Sequence, residues 1–363
     1  MQYDMASLTR SEIRLLPDPL LQGAAVAEVR CAGILGVGSA VPKRVLTNRD
    51  LEQIVETSDE WIVSRTGIRE RRIAGPGEKT SDLAAAAGGR ALEAAGVQPE
   101  EIDLLIVATI TGDYAFPATA SLVQQSLNLR RAGAFDLSAA CSGFIYALAV
   151  GSQMIASGLY RHILVIGAET LSKVVNWSDR GTCVLFGDGA GAVVLGPVAD
   201  GEGFLSFDLG SDGSGADLLI VDEGGKGHPL TTGSDADLHE SIRMAGAEVF
   251  KFAVRVIDES TRRSLARAGL TVADVDCLVP HQANSRIIES ASKRLGIAPE
   301  RVFSNVARYG NTSAASIPIA LDEAVAQSKI LPGDIVTLVG FGAGLAWASC
   351  AMRWVGRVAA NES

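Results

Sequence analysis

Short, wholly apolar runs punctuate this chain, separated by stretches in which apolar residues return every third or fourth position. Arg30–Val37, Asp103–Thr109, His162–Gly167 and Ala190–Leu195 are brief and almost uniformly apolar. Such runs predict strands buried on both faces. Ser81–Ala95 and Ala120–Leu127 lie between them and read as helices. After Cys141, the residues Phe144, Ala147, Leu148, Gly151, Met154 and Ile155 share one helical face, and Gly158 is a stop for it. Ile287, Ile288, Ala291 and Leu295 form a second stripe, closed by Gly296. Ile335–Val339 and Trp347–Met352 complete the pattern as strands around a glycine-rich connection, Gly340–Leu345. Strands alternating with helices predict an α/β fold with largely buried sheets.

The pattern repeats. The helix, turn and strand of Leu83–Ala108 return in Val256–Pro280 at an offset of about 170 residues. The same shift carries the turn around Cys141 to the neighbourhood of Asn311. Two copies of one unit are therefore expected: residues 30–200 carrying Cys141, and residues 201–363 carrying His281 and Asn311. Residues 1–29 read as a weakly ordered N-terminal extension. Ligands bind at the carboxyl ends of strands in α/β sheets, so the two turns are predicted to face one shared pocket.

Composition narrows the functions. A formal charge of −10 over 363 residues opposes nucleic-acid binding, which needs a basic face. The five cysteines, Cys31, Cys141, Cys183, Cys277 and Cys350, form no CxxC pair, and with four scattered histidines they give no zinc spacing. No metal is expected, and a reducing, cytoplasmic setting fits an odd number of unpaired thiols. The first residues lack a basic segment followed by an apolar one, and no apolar run approaches bilayer length. No membrane association is expected.

Four stretches carry chemistry. In Asp136-Leu-Ser-Ala-Ala-Cys-Ser-Gly-Phe144, Cys141 falls where a helix should begin. The positive end of a helix dipole favours a thiolate nucleophile. In Cys277-Leu-Val-Pro-His-Gln-Ala-Asn-Ser-Arg286, His281 stands at a strand's end, where a neutral imidazole can donate a hydrogen bond to developing negative charge. A structural histidine reads equally well at this point. In Arg308-Tyr-Gly-Asn-Thr-Ser-Ala-Ala-Ser316, Asn311 is either a helix N-cap or an amide that holds an oxyanion without ionising. The glycine-rich Gly340–Leu345 is a hairpin turn or the backbone part of an oxyanion hole. Two weaker signals are Trp61 with Arg180, which can sandwich a purine, and "GDGAGA" at Gly187–Ala192. A strand follows the latter, so tight glycine packing is the better reading than a phosphate loop.

Together the strings "TSDEWIVSRTGIRERR", "AACSGF", "DRGT…FGDGAGA", "VPHQAN", "GNTSAAS" and "FGAG" resemble the β-ketoacyl-acyl-carrier-protein synthase III family of the thiolase superfamily, in order from about Arg30 to Arg353. The resemblance implies a thiolase-like, five-layered αβαβα fold with two pseudo-twofold-related halves, usually in a homodimer. It implies Cys141 as acyl carrier and His281 with Asn311 as the decarboxylation pair. Backbone N–H groups of Cys141 and Ala343 would form the oxyanion hole. Trp61, Arg65 and Arg180 fall on positions that hold the CoA adenine and phosphate. Phe116 falls where a partner subunit's residue bounds the acyl pocket. Gln282, Ala283, Asn284, Ser285, Arg286 and Lys251 fall on positions linked to the acyl carrier protein. Elongating relatives use two histidines where this chain has His281 and Asn311. Thiolases place a second cysteine near the C-terminal glycine-rich loop; here Cys350 lies beyond that loop and reads as core. Two features depart from the family: the extension at residues 1–29, and Ala343 where many members have glycine.

The expected activity is a decarboxylating condensation of an acyl-CoA primer with malonyl-acyl-carrier protein, initiating fatty acid synthesis, with no metal or redox cofactor. A paralogous condensing or acyl-transfer enzyme of polyketide or quinolone-type secondary metabolism is the alternative. A nucleotide-dependent oxidoreductase built on "GDGAGA" and a non-catalytic scaffold are readings of other classes. An intact Cys141, His281 and Asn311 opposes the scaffold.

Overall fold

Leu104, Ile106 and Ala108 point to one side of their sheet while Leu105 and Val107 point to the other, and all five are buried. This is why the strand reads as a continuous apolar run: both of its faces are covered. The computed structural model describes residues 30–221 and 241–356. The expected extension, residues 1–29, lies outside the described residues.

The longer strands in chain order are β1 (Cys31–Ala40), β2 (Leu104–Ala108), β3 (Gly133–Leu137), β4 (Ile163–Thr170), β5 (Asp188–Val198), β6 (Gly203–Ser211), β7 (Cys277–Pro280), β8 (Ile335–Gly342) and β9 (Ala346–Arg353). The longer helices are α1 (Asp59–Thr66), α2 (Thr80–Ala95), α3 (Thr119–Ser126), α4 (Gly143–Ala156), α5 (Gly246–Arg267), α6 (Ser285–Leu295) and α7 (Ser316–Ala326). The first sheet has the order β1-β5-β4-β2-β3 and the second β6-β9-β8-β7. β2 runs parallel to both β3 and β4, and β7 runs parallel to β8. Where β3 lies beside β2, the second half has only a single parallel bridge, Leu278 to Val302. The second sheet is thus the first with its last strand reduced to one pairing.

Five layers follow from the packing. α4 and α7 lie between the sheets, and Phe144, Ile145, Leu148, Ile317 and Leu321 share one core with both inner faces. α2 and α3 cover the outer face of the first sheet. α5 and α6 cover that of the second. Each buried Leu, Ile or Phe in the central layer contributes about 1.5–3 kcal/mol.

The repeat is structural as well as sequential. Gly96 and Gly269 end their helices at φ 66° and 71°. The 3₁₀ turns Pro99–Glu101 and Val272–Asp274 follow. Ala140 and Ser313, at φ 45° and 48°, introduce the two central helices. The strand expected at Ala190–Leu195 begins earlier, at Asp188, so "GDGAGA" is sheet rather than phosphate loop. A Cβ at Gly191 would stand 2.7 Å from the backbone of Ile319; glycine there lets α7 lie against the first sheet.

At Gly167 on β4 the two halves meet backbone to backbone. A Cβ there would stand 2.2 Å from Ala314 O and 2.8 Å from its carbonyl carbon. Neither atom can swing aside, because both are backbone. Gly167→Ala is expected to lower stability by about 1–3 kcal/mol, read as a lower urea midpoint at unchanged slope. A midpoint equal to the parent's would mean that the halves part freely at this contact.

Candidate active site

Cys141 lies on a 3₁₀ turn, Ala140–Ser142, directly after β3, and the α-helix starts at Gly143 rather than at the cysteine. The expectation of a favoured thiolate is overturned along with the helix start. The sulfur residue is only 7% exposed. Burial pushes its thiol up to about 12; the neighbouring Ser313 side chain opposes the rise and nearby Glu169 adds to it. Loss of water around the sulfur is the largest cause. The glycine-rich segment is pressed against this turn: a Cβ at Gly342 would stand 2.8 Å from Cys141 N. Ala343 and Gly344 line the same cavity as Cys141.

His281 follows β7, and its N–H bonds to Val339 O at 2.8 Å, which carries the register of β7 and β8 one residue further. The ring is buried, and burial holds it down at about 3, so the imidazole is neutral. Its Nδ1 is 2.6 Å from Ser316 Oγ. That hydroxyl also accepts the Gln282 N–H at 3.3 Å; a neutral ring that takes the hydroxyl's hydrogen at Nδ1 carries its own on Nε2. Phe341 stands edge-on to the ring, 5.3 Å between centroids.

Asn311 caps no helix. It bridges to Phe186 as an isolated strand pair, its N–H bonding to Leu185 O at 2.8 Å. Its Oδ1 accepts the Ser313 N–H at 2.9 Å. With the oxygen occupied, the NH₂ is left as a donor.

Cys141, His281 and Asn311 line one cavity of about 550 Å³. Cys141 also opens on a second, of about 970 Å³, walled by Ile110, Leu171, Val174, Phe186 and Ile220 among others. The thiol thus stands between a polar channel and a largely apolar chamber. Trp61 and Arg65 of α1 line the channel. Arg65 and Arg180 both stack on Trp61, at 4.9 and 4.8 Å from the ring centroid. The expected partners of a purine, Trp61 and Arg180, are thus already in contact with each other. Phe116 touches neither cavity; it is 87% exposed.

The residues linked by resemblance to a carrier protein divide. Lys251 and Arg286 line the channel, and Arg286 lies 5.9 Å from the Phe250 ring. Ala283 and Asn284 line it too. Asn284 caps α6 through the Arg286 N–H and bonds to Arg65 O at 3.2 Å. Ser285 packs against Gly67 at the end of α1, where a Cβ would collide with its Oγ. Gln282 departs from expectation. It is buried, and its amide is used up on Pro280 O, Phe303 O, Ser304 and Asn305. It holds the loop and presents nothing at the surface.

Sequence reasoning passed over Ser313, Ser316, Phe341 and Glu169. The two serines stand in the same string as Asn311, and Phe341 stands in the glycine-rich connection, so a signal was present. Glu169 follows a strand with nothing local to single it out. Among the described residues no group of three or more His, Cys, Asp or Glu could hold a metal ion, and no helix is long and apolar enough to cross a membrane.

Two family models match: 3-oxoacyl-[acyl-carrier-protein] synthase III over residues 135–213, and its C-terminal counterpart over residues 265–354. A β-ketoacyl-[acyl-carrier-protein] synthase III of Desulfitobacterium hafniense is 57% identical over 322 residues, covering 89% of this chain and 97% of the relative. One from Symbiobacterium thermophilum is 58% identical over 327 residues, covering 90% and 99%. The crystal structure of 3-oxoacyl-[acyl-carrier-protein] synthase III from Aquifex aeolicus VF5 superposes with a TM-score of 0.83 at 48% identity, covering 89% of this chain and all of that one. The priming β-ketosynthase of the R1128 polyketide pathway superposes with a TM-score of 0.84 at 39% identity, covering 92% and 98%. With the matched fold and this extent of identity, the chain belongs to the 3-oxoacyl-[acyl-carrier-protein] synthase III family.

Proposed function

We propose that this protein condenses an acyl-CoA primer with malonyl-acyl-carrier protein, releasing CoA and CO₂ and giving a 3-oxoacyl-carrier protein, the opening step of fatty acid synthesis. The observation that carries the reading is the convergence of Cys141, His281 and Asn311, from three separate segments, on one cavity. One is a thiol; the other two are neutral donors whose acceptor atoms are already engaged. Relatives named for this activity reach 58% identity, against 39% for the R1128 priming ketosynthase, which favours primary over secondary metabolism.

Cys141 attacks the acyl-CoA thioester, and N–H groups of Cys141 and Ala343 hold the tetrahedral oxyanion. CoA leaves through the channel, where Trp61, Arg65 and Arg180 receive its adenine and phosphates. The acyl chain enters the larger chamber. Malonyl-carrier protein then docks at Arg286 and Lys251. His281 Nε2–H and the Asn311 NH₂ bond the malonyl thioester oxygen and stabilise the enolate as CO₂ departs. The carbanion attacks the acyl carbon on Cys141, and the sulfur leaves. Loss of CO₂ drives the carbon–carbon bond without metal or redox cofactor. Two neutral donors suit this step, because a charged imidazolium would protonate the enolate it must hold.

The enzyme acts as a homodimer in the cytoplasm. Support for the dimer is the edge strand β3, whose residues are only partly covered, beside the exposed Ile110, Tyr114 and Phe116. Phe116 then reaches the chamber of the partner subunit. All five cysteines are free thiols, in keeping with a reducing compartment.

Mass spectrometry of the chain after exposure to a panel of acyl-CoAs tests the reading: one acyl group on Cys141 is expected. Cys141→Ser should end condensation. His281→Ala and Asn311→Ala should retain acyl transfer from CoA while slowing malonyl decarboxylation on the order of a hundredfold each. Lost acylation with intact CO₂ release would reverse the assigned roles.

Because His281 takes a proton only near pH 3, it stays a neutral donor well above that value. Malonyl decarboxylation should therefore be flat between pH 5 and 9. A limb near 6.5, the ordinary histidine value, would show that the imidazole titrates in the working enzyme.

Docking by an acidic partner on a chain of charge −10 requires a local basic patch. Of the basic residues expected there, Arg255 and Arg294 are paired to Glu259 and Asp258; Lys293 is exposed on the same helix as Arg286, and Arg286 and Lys251 line the channel. Arg286→Glu should raise the apparent KM for malonyl-carrier protein about tenfold and weaken its salt dependence. An unchanged KM with an unchanged salt slope would place the docking surface elsewhere.

A further inference from the structure

Acylation of a buried thiol needs somewhere for its proton, and neither His281 nor Asn311 offers one: His281 Nδ1 is engaged, and an amide takes no proton. Behind Cys141 lies Glu169, wholly buried at the end of β4. Its Oε2 accepts from Thr109 Oγ1 at 3.2 Å, Ile110 N at 3.2 Å, Thr111 N at 3.1 Å and Thr111 Oγ1 at 2.5 Å. Its Oε1 is buried with no hydrogen-bond partner. Four donors on one oxygen and none on the other is an asymmetry that a purely structural carboxylate has no need of. The Ser313 Oγ is also buried and unpartnered, and Ser313 and Cys141 line the same cavity. The Ser313 hydroxyl lies beside both groups, near enough to favour the ionised form of the Cys141 thiol and of the Glu169 carboxyl. At rest it makes no hydrogen bond to either. Ser313 is held in the left-handed region at φ 48°, a conformation that costs about 1–3 kcal/mol and that tends to cluster at working sites.

We propose that Glu169, acting through the Ser313 hydroxyl, takes up the Cys141 proton during acylation. The proposal rests on the reading of Cys141 as the acyl-accepting residue. As Sγ bonds to the thioester carbon, the thiol hydrogen passes to Ser313 Oγ and the hydroxyl's own hydrogen passes to Glu169 Oε1. The tetrahedral intermediate collapses, the carbon–sulfur bond to CoA breaks, and CoA departs as its thiolate. Water then carries the proton from Glu169 to the CoA sulfur, so that thiol and acyl-CoA have become acyl-enzyme and CoA-SH. Ser313, which lines the same cavity as Cys141, relays the proton, and Glu169 receives it without touching the substrate.

The environment suits this task. Burial holds the Glu169 carboxyl up at about 7, where a general base is most effective near neutral pH. The thiol lies far higher, so the sulfur stays protonated at rest and the proton moves only as the attack proceeds. No opposing charge interferes among the described residues packed around Glu169. On β5, Asp188 is turned to Ser172 and Ala74. Beyond β2, Asp113 is bound to Ser81. Asp82, Arg90 and Glu93 of α2 face solvent. Cys141 is the remaining titratable neighbour.

The test is the pH dependence of Cys141 alkylation by iodoacetamide in the full chain, beside single-turnover acylation by acetyl-CoA and separate CO₂ release from malonyl-carrier protein. Glu169 is a carboxylate above about 7 and a carboxylic acid below, so both thiol reactions should rise with pH through that value. Glu169→Gln should remove this limb and slow both about a hundredfold at pH 7.5, with CO₂ release within about twofold of the parent. Glu169→Asp should restore part of the limb. Ser313→Ala, which removes only the relay, should reproduce the loss and decides the matter if Glu169→Gln fails to fold. A parent-like limb in Ser313→Ala or Glu169→Gln overturns the proposal, as does an equal fall in CO₂ release. Absence of any acyl-enzyme in the parent would instead defeat the reading of Cys141, which the alkylation profile does not depend on.

Discussion

Two turns meet at the centre of this molecule with no side chain between them, and the site depends on that contact. Ala140–Ser142 and Ser313–Ala315 each enter a central helix through a residue at positive φ. Gly167 on β4 lets the second turn approach to backbone contact, and Gly342 lets β8 approach the first. A methyl group at either glycine would force the backbones at this contact to shift. Because α4 and α7 are packed between two sheets, the strain at Ala140 and Ser313 cannot relax by moving a helix. The thiol and the Asn311 amide are brought together by the packing of the whole core.

What that packing creates is a buried site in which every titratable group is pushed toward its neutral form. Burial raises the thiol, raises the Glu169 carboxyl and lowers the imidazole. The three shifts have one physical cause: each favours the neutral form of its group where water is excluded. Such a site holds a developing enolate with dipoles rather than ions, and dipoles already aligned need no reorganisation at the moment of reaction. Alignment is visible in the bonds that lie one step back. Ser316 sets the tautomer of His281, and the Ser313 N–H sets the amide of Asn311.

Much of this was legible along the chain. The alternation of apolar runs and helical stripes marked the sheets and the central helices, and the offset repeat marked the two halves. The strings around Cys141, His281 and Asn311 marked the chemistry. Three features were not legible, each because it depends on distance in space. The helix start moved from Cys141 to Gly143 because a strained turn intervenes. The thiol is pushed toward its neutral form by desolvation, which no local string reports. Gln282 reads as part of an exposed recognition stretch, yet its amide is spent on four neighbouring groups inside the protein.

The sequence by itself determined the period of each element, the duplication and the identity of the reactive atoms. These are local properties: side-chain alternation, turn chemistry and functional-group type are carried by a few adjacent residues. Only the tertiary structure decided which atoms of those groups are free. Asn311 offers its nitrogen because Ser313 occupies its oxygen, His281 its Nε2 because Ser316 occupies Nδ1, and Glu169 one bare oxygen because the Thr109–Thr111 loop crowds the other. A hydrogen bond needs its partners within about 3 Å, and residues far apart in the chain are brought that close only by folding.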